Sequence, residues 1–236
     1  MKTSAQIQVA VFGGSGRMGK ELVNLICKET KLNLCASIDA KSAVTLGNLK
    51  KYFPDVVIDF SSPEGTVQIA KWCAQNKVAL ITGTTGLKES QEKSIQKASK
   101  KTAIFKSANM GLGINALAGV FKEFLKTFSA TEIEIEETHH RHKKDRPSGT
   151  AKFLLNEVKA SIPKGRKIKI GEPVSLRGGE IFGVHKVNFY ADGEWLSFEH
   201  TATDRSIFAR GALKAAQWIK GKKPGMYSMK DMLFNG

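Results

Sequence analysis

The 236-residue chain can bury a core as one medium domain or two small ones, and its 41% hydrophobic and 25% charged residues lie near globular averages, which argues against a disordered or fibrous protein. A net charge of +15 attracts anions of every kind, but the lysines are scattered in pairs such as Lys50-Lys51 and Lys222-Lys223 without interleaved aromatics, so nucleic acid is not an expected partner. The three separated cysteines, Cys27, Cys35 and Cys73, argue against a disulfide framework and fit a reducing cytoplasm, and no stretch approaches a membrane span.

In chain order, residues 7–12 read as a first strand that stops at glycine; this run is too short for a signal peptide's apolar core, so a soluble, uncleaved protein is expected. A helix over 17–27, a strand over 32–38 and a strand over 56–60 follow. Ser62 and Pro63 then read as the N-cap and first residue of a helix carrying Val67, Ile69, Ala70 and Ala74. A strand over 78–82, a helix near 89–100 and a strand over 102–106 complete an alternation that predicts a parallel sheet flanked by helices. After Asn109 the texture changes. An apolar helix over 114–128 precedes residues 131–137, where Ile133 and Ile135 share one face and Glu132, Glu134 and Glu136 the other, the pattern of a half-exposed strand. A helix over 150–160, antiparallel strands around Ile168 and over 180–185, 186–190 and 195–203, and a closing helix over 207–219 finish the chain.

Gly14-Ser15-Gly16-Arg17-Met18-Gly19 matches GxGxxG between the first strand and the first helix, the context in which this pattern cradles a dinucleotide pyrophosphate on free helix amides. Twenty positions beyond Gly19, Asp39 ends the second strand, where a carboxylate can bond the ribose hydroxyls and disfavour the extra phosphate of NADP. Arg17 and Lys41 offset that repulsion, so NADH and NADPH both stay open. Gly83-Thr84-Thr85-Gly86 adds small residues after another strand, at the sheet edge where such folds bind ligands.

The segment EETHHRHKKDRPSGTA, residues 136–151, places three of the five histidines within four positions. His140 and His142 share a face but lack an obvious third and fourth ligand, so no metal is expected. The preferred reading is an acid/base and anion-recognition site, because histidine exchanges protons near neutral pH and lysine supplies charge or a proton. The Ser148 and Thr150 hydroxyls, with the free amides of the helix that Pro147-Ser148-Gly149-Thr150 introduces, could hold a carboxylate.

These residues together resemble the dihydrodipicolinate reductase family: EETHHRHKKDRPSGTA looks like its signature, and FGGSGRMG like its cofactor loop. GTTG at 83–86, SANMGLGIN at 107–115 and FARGALKAAQWI at 208–219 extend the likeness over nearly the whole chain, in order. The resemblance implies an α/β fold, with a Rossmann-type parallel-sheet nucleotide domain (1–110 with 206–236) and an α+β mixed-sheet domain (111–205) for substrate binding and tetramerisation. It implies NADH- or NADPH-dependent reduction of a small cyclic dicarboxylate, 4-hydroxy-tetrahydrodipicolinate, in diaminopimelate and lysine biosynthesis. His139 would be the acid/base residue and Lys143 the proton donor, while His140, Lys143, Ser148, Gly149 and Thr150 would bind substrate. Gly13, Gly14, Ser15, Gly16, Arg17, Met18, Asp39, Gly83, Thr84 and Thr85 would line the cofactor together with Ser107, Ala108, Asn109 and Met110. The chain departs from the pattern at Ala40, where a basic residue is usual, at Val184, where glutamate is usual, and by a shortening around 41–54.

Two other functions compete with this one for the same residues. An aldehyde dehydrogenase would need a cysteine nucleophile, but Cys73 sits in the helical run AKWCAQ and fits a core position better. The other is an anion- or nucleic-acid-binding protein that kept the fold after losing catalysis; the intact His139 and Lys143 count against it, and strong salt-sensitive binding to nucleic acid without reductase activity would favour it.

Overall fold

The computed structural model describes residues 5–39 and 42–235. Ala40 and Lys41, which bear on cofactor choice, lie outside the described residues. The chain divides into two compact units, Met1–Gly111 with Ser206–Gly236, and Leu112–Arg205. The first unit begins with β1 (Ile7–Phe12), α1 (Arg17–Ile26), β2 (Leu32–Ile38), a 3-10 turn (Leu49–Tyr52), β3 (Val56–Asp59), α2 (Pro63–Asn76), β4 (Ala79–Thr82), α3 (Glu89–Ser99) and β5 (Ala103–Lys106). The second holds α4 (Leu112–Thr127), β6 (Glu132–His139), α5 (Gly149–Ser161), β7 (Lys169–Ile170), β8 (Val174–Arg177), β9 (Gly183–Ala191) and β10 (Glu194–Ala202). The chain then returns to the first unit for α6 (Ser206–Ile219), β11 (Gly225–Tyr227) and α7 (Met229–Phe234).

The first unit is a six-stranded, wholly parallel sheet in the order β11-β5-β4-β3-β1-β2. Its central strands read as apolar runs because helices cover both faces: all four residues of β3 are buried, and Leu80, Ile81, Ile104 and Phe105 are fully so. Ser62 caps α2 by accepting from the Gly65 amide at 3.1 Å, with Pro63 at the first helical position. Strand order reverses beside β1, which sends β2 to one side and β3 to the other and opens the crevice where doubly wound sheets bind ligands.

The second unit is a mixed five-stranded sheet, β10-β9-β6-β7, with β8 also paired to β6. Ile133 and Ile135 of β6 and Val187 and Phe189 of β9 pack with Phe121 and Leu125 of α4 and Leu154 and Val158 of α5. The Phe121, Phe124, Phe189 and Phe198 rings meet edge-on or tilted at 4.9–6.2 Å. Val174, Leu176, Trp195 and Leu196 remain exposed on this unit.

Four expectations need correction. The strand near Ile168 begins at Lys169 and pairs parallel, not antiparallel, with β6, because α5 acts as a crossover returning the chain in the same direction. The expected strands over 180–185 and 186–190 are one strand, β9, since backbone pairing with β6 and β10 runs unbroken past Lys186. Two-sided pairing within a sheet overrides the local change of side-chain polarity. β8, with its mixed VSLR sequence, was not expected as a strand. Nor does the helix over 207–219 close the chain: β11 adds to the sheet edge beside β5, and Ser228 and Asp231 form a capping box that starts α7.

Candidate active site

All strands of the first unit run in one direction, so every loop predicted to line a cofactor emerges from the same edge of the sheet. Gly13, Gly14, Ser15, Gly16, Arg17 and Met18 follow β1; Asp39 follows β2; Gly83, Thr84 and Thr85 follow β4; and Ser107, Ala108, Asn109 and Met110 follow β5. Gly13 has φ +88°, which a side chain rarely adopts, and a Cβ on Gly19 would lie 2.1 Å from the Gly13 carbonyl oxygen. The turn therefore closes with backbone against backbone. Gly16 caps α1 without a side-chain hydrogen bond, so the first amides of the helix keep their capacity for an anion, and Arg17 is exposed at its first position. This cradle fits a dinucleotide pyrophosphate.

The GTTG loop is anchored by a residue the sequence reading missed. Asp59, at the end of β3, is fully buried, and its Oδ2 accepts from the hydroxyls of Thr66 (2.6 Å), Thr82 (2.8 Å) and Thr84 (3.1 Å). Its Oδ1 accepts from the Ser61 amide (3.0 Å) and hydroxyl (2.5 Å). Ser107 joins the same edge by donating its amide to the Thr82 carbonyl at 3.2 Å, and its hydroxyl donates to the Asn109 carbonyl at 2.7 Å.

In the second unit the chemistry gathers at the end of β6. The alternation that buries Ile133 and Ile135 continues, so Glu137 and His139 also point inward, at 1% and 7% exposure. Antiparallel register places His185 opposite Glu137, and parallel register places Arg177 opposite His139. Glu137 Oε1 accepts from the Ser148 amide (2.9 Å), the Ser175 hydroxyl (2.7 Å) and the Arg177 guanidinium (2.9 Å). Burial pushes this carboxyl upward, but these donors outweigh it and hold it at about 2. His185 is buried and pushed down to about 4, first by desolvation and then by the charge of His139. His139 is lowered by burial, while Glu137 raises it and Lys143 and Arg177 lower it.

Arg177 organises the histidine loop as well as the carboxylate. Its Nε donates to the Lys143 carbonyl at 3.3 Å and its Nη2 to the Asp145 carbonyl at 2.5 Å. Lys143 itself pairs with Asp145 at 2.8 Å and is only partly exposed. Ser148 caps α5 by accepting from the Ala151 amide at 3.1 Å, and its buried hydroxyl lies 3.2 Å from His185 Nε2. That hydroxyl is thus engaged inward, while Gly149 is exposed at the first helical position with Thr150 beside it. The His140 ring is half-buried, with Nδ1 lacking a hydrogen-bond partner.

Glu137, Arg177, Ser175 and His185 were not singled out from the sequence. Glu137, His139 and His185 offer donor atoms within 4.8 Å of one another, a geometry open to a metal ion. Arg177 bonds the same carboxylate and the Lys143 charge reaches both imidazoles, setting two fixed cations against a third. The unmetallated arrangement can instead bind an anion and move a proton.

Comparison with known proteins agrees over both units. Residues 7–110 match the family pattern described as dihydrodipicolinate reductase, N-terminus, and residues 113–233 match its C-terminus. A relative from Bdellovibrio bacteriovorus, named 4-hydroxy-tetrahydrodipicolinate reductase, is 38% identical over 97% of this chain and 97% of its own. One of the same name from Campylobacter jejuni is 41% identical over 96% of this chain and 99% of its own. Among solved structures, a dipicolinate-bound dihydrodipicolinate reductase from a Paenisporosarcina species shares the fold, with TM-score 0.84 and 20% identity over 98% of this chain and all (100%) of that one. An amine dehydrogenase from Mycobacterium smegmatis is a more distant match in fold, at TM-score 0.61 and 10% identity over 97% of this chain and 96% of that one.

Proposed function

The chain belongs to the dihydrodipicolinate reductase family, and from that premise we propose that it reduces 4-hydroxy-tetrahydrodipicolinate to tetrahydrodipicolinate with NADH or NADPH, in diaminopimelate and lysine biosynthesis. The observation that carries the reading is His139 and the α5 N-terminus gathered at one buried, ionised carboxylate, with the charge of Lys143 reaching the His139 imidazole. The loops that follow β1, β2, β4 and β5 would hold a nicotinamide dinucleotide, which when bound would supply the hydride for reduction of a carbon conjugated with the ring imine. His139 and Lys143 supply the proton that the resulting enamine-like anion takes up. The amides of Gly149 and Thr150, with His140 and Lys143, hold a substrate carboxylate, as a helix N-terminus holds an anion. Ser148 contributes from below by fixing the start of that helix.

In the first unit, Gly13, Gly14, Ser15, Gly16, Arg17 and Met18 receive the pyrophosphate and Asp39 the adenosine ribose. Gly83, Thr84 and Thr85 with Ser107, Ala108, Asn109 and Met110 border the nicotinamide side. Asp39 supports NADH and Arg17 keeps NADPH in use. A homotetramer is supported by the exposed Val174, Leu176, Trp195 and Leu196 of the second unit, which offer apolar surface for a second copy. The three unpaired cysteines support a cytoplasmic location, and no helix among the described residues is long and apolar enough to cross a membrane.

The test follows absorbance of NADH and NADPH separately, with substrate generated in place by the preceding synthase. Oxidation of either nucleotide is expected, and His139→Gln or Lys143→Ala should slow it about 10²- to 10⁴-fold with the fold intact. Near-normal turnover in both variants would reject the residue assignment, and no nucleotide oxidation would reject the reaction.

A further inference from the structure

We propose that Glu137 is a positioning residue that orients the His139 imidazole and sustains its protonated form; this rests on the acid/base role given to His139 above. The two carboxylate oxygens of Glu137 have unequal surroundings. Oε1 takes three donors, from Ser148, Ser175 and Arg177, which fix the carboxylate in place. Oε2 is buried, takes no hydrogen bond, and lies 3.4 Å from His139 Nδ1, which is buried and equally without a partner. A carboxylate oxygen facing an imidazole nitrogen in this way is costly until one proton lies between them. The proton belongs on Nδ1, leaving Nε2 as the edge that exchanges with substrate. Glycine at 183 keeps that edge open, since a Cβ there would lie 3.1 Å from Nε2.

The surroundings assign the extra charge to one ring. Facing His139 are Glu137 on its own strand, Lys143 and Asp145 on the loop that follows, Arg177 on β8 and the His185 ring on β9, 5.0 Å away. Burial is the largest influence and opposes an imidazolium at 139, with Lys143 and Arg177 adding to it, and Glu137, followed by Asp145, is what counters them. His185 also approaches Oε2, at 3.6 Å, but it is more deeply buried, faces the charges of His139, His200 and Lys143, and has the Ser148 hydroxyl 3.2 Å from Nε2. It stays neutral, and the carboxylate serves His139.

The experiment follows the ring nitrogens of labelled histidine by NMR across pH in the full-length protein, with His139→Gln assigning the resonance. Glu137→Gln should lower the His139 midpoint by about one pH unit or more, roughly tenfold less imidazolium at a given pH, and release Nδ1 as the protonated nitrogen. The matching limb of the kcat/KM profile should move the same way. Glu137→Asp keeps the charge but draws it back, and should give a smaller shift; it carries the test if the glutamine variant fails to fold. A His139 midpoint and tautomer unchanged in whichever variants fold overturns the proposal, and so does lost turnover with an unmoved profile, which would mean that Glu137 only supports structure. Normal turnover in His139→Gln sinks the acid/base reading instead, and the titration still decides whether Glu137 governs the ring.

Discussion

Replacing Asp59 by alanine tests whether the buried carboxylate holds the carboxyl edge of the parallel sheet together. Three of its donors, the hydroxyls of Thr66, Thr82 and Thr84, are at most 9% exposed and have no route to water once the acceptor is gone. Ser61 is exposed and can turn its amide and hydroxyl to solvent, so it adds little. Stranding a buried hydroxyl costs about 1–2 kcal/mol, which gives about 3–6 kcal/mol for the set. Thr82→Val, which removes one donor to Asp59 and the acceptor of the Thr84 amide at 3.3 Å, should cost about 1–3 kcal/mol. Urea unfolding followed by tryptophan fluorescence reports on this unit, because Trp72 is 9% exposed in α2 and Trp218 packs edge-on against Phe105 and Tyr227. Trp195 in the other unit is 65% exposed and changes little on unfolding. Since Thr84 also anchors the GTTG loop, the alanine variant should bind NADH more weakly even where it is fully folded. A loss below about 1 kcal/mol would show that the hydroxyls re-pair among themselves and that the carboxylate is not the anchor.

Gly19→Ala drives a methyl group to 2.1 Å from the Gly13 carbonyl oxygen and should weaken NADH binding at least about tenfold in a fluorescence titration. Gly171→Ala, with nothing within 4 Å and no positive φ, should stay within about 0.5 kcal/mol of the parent on denaturation and serves as the control. Phe121→Ala empties a fully buried site between the Phe189 and Phe198 rings and should cost the second unit about 3–5 kcal/mol in urea unfolding followed by hydrogen exchange of the β6 and β9 amides. The second unit should also lose stability in acid. His185 is held down from 6.5 to about 4, so the unfolded chain takes up its proton first and the loss runs from pH 6.5 to about 4. Glu137, held from 4.5 down to about 2, extends the loss from pH 4.5 to about 2, each group contributing about 3 kcal/mol. Stability that is flat from pH 7 to 4 in a pH-titrated denaturation series would contradict the His185 part.

The nucleotide half was legible because its signals are local. A β-branched run, a glycine turn and an amphipathic stretch recur within a few tens of residues, and the Ser62-Pro63 start of α2 carries its own cap. The end of β6 that carries Glu137 and His139 was legible only as a cluster of histidines. Its alternation runs through Ile133, Ile135, Glu137 and His139, but the apolar signal stops at Ile135 and the last two buried positions look polar and exposed. Continuing the period by two residues would have found Glu137. Arg177 and Ser175 had no such signal, since only the pairing of β8 with β6 brings them beneath the histidine loop. β11 is three residues long, and its place is set by β5 beside it rather than by a pattern of its own.

α6 packs on α1 and against β3, β4 and β5, and a Cβ at Gly211 would fall 1.6 Å from the Met110 carbonyl oxygen, so the end of the chain fills a slot that its beginning leaves open. During synthesis the Leu112–Arg205 unit is therefore complete in the emerging polypeptide before the surrounding unit has its last helix and edge strand. A ribosome-tethered fragment ending at residue 205 should resist protease within its later half while its first hundred residues are still cut. Protection that arises in the opposite order would mean that the early sheet stands without its final cover.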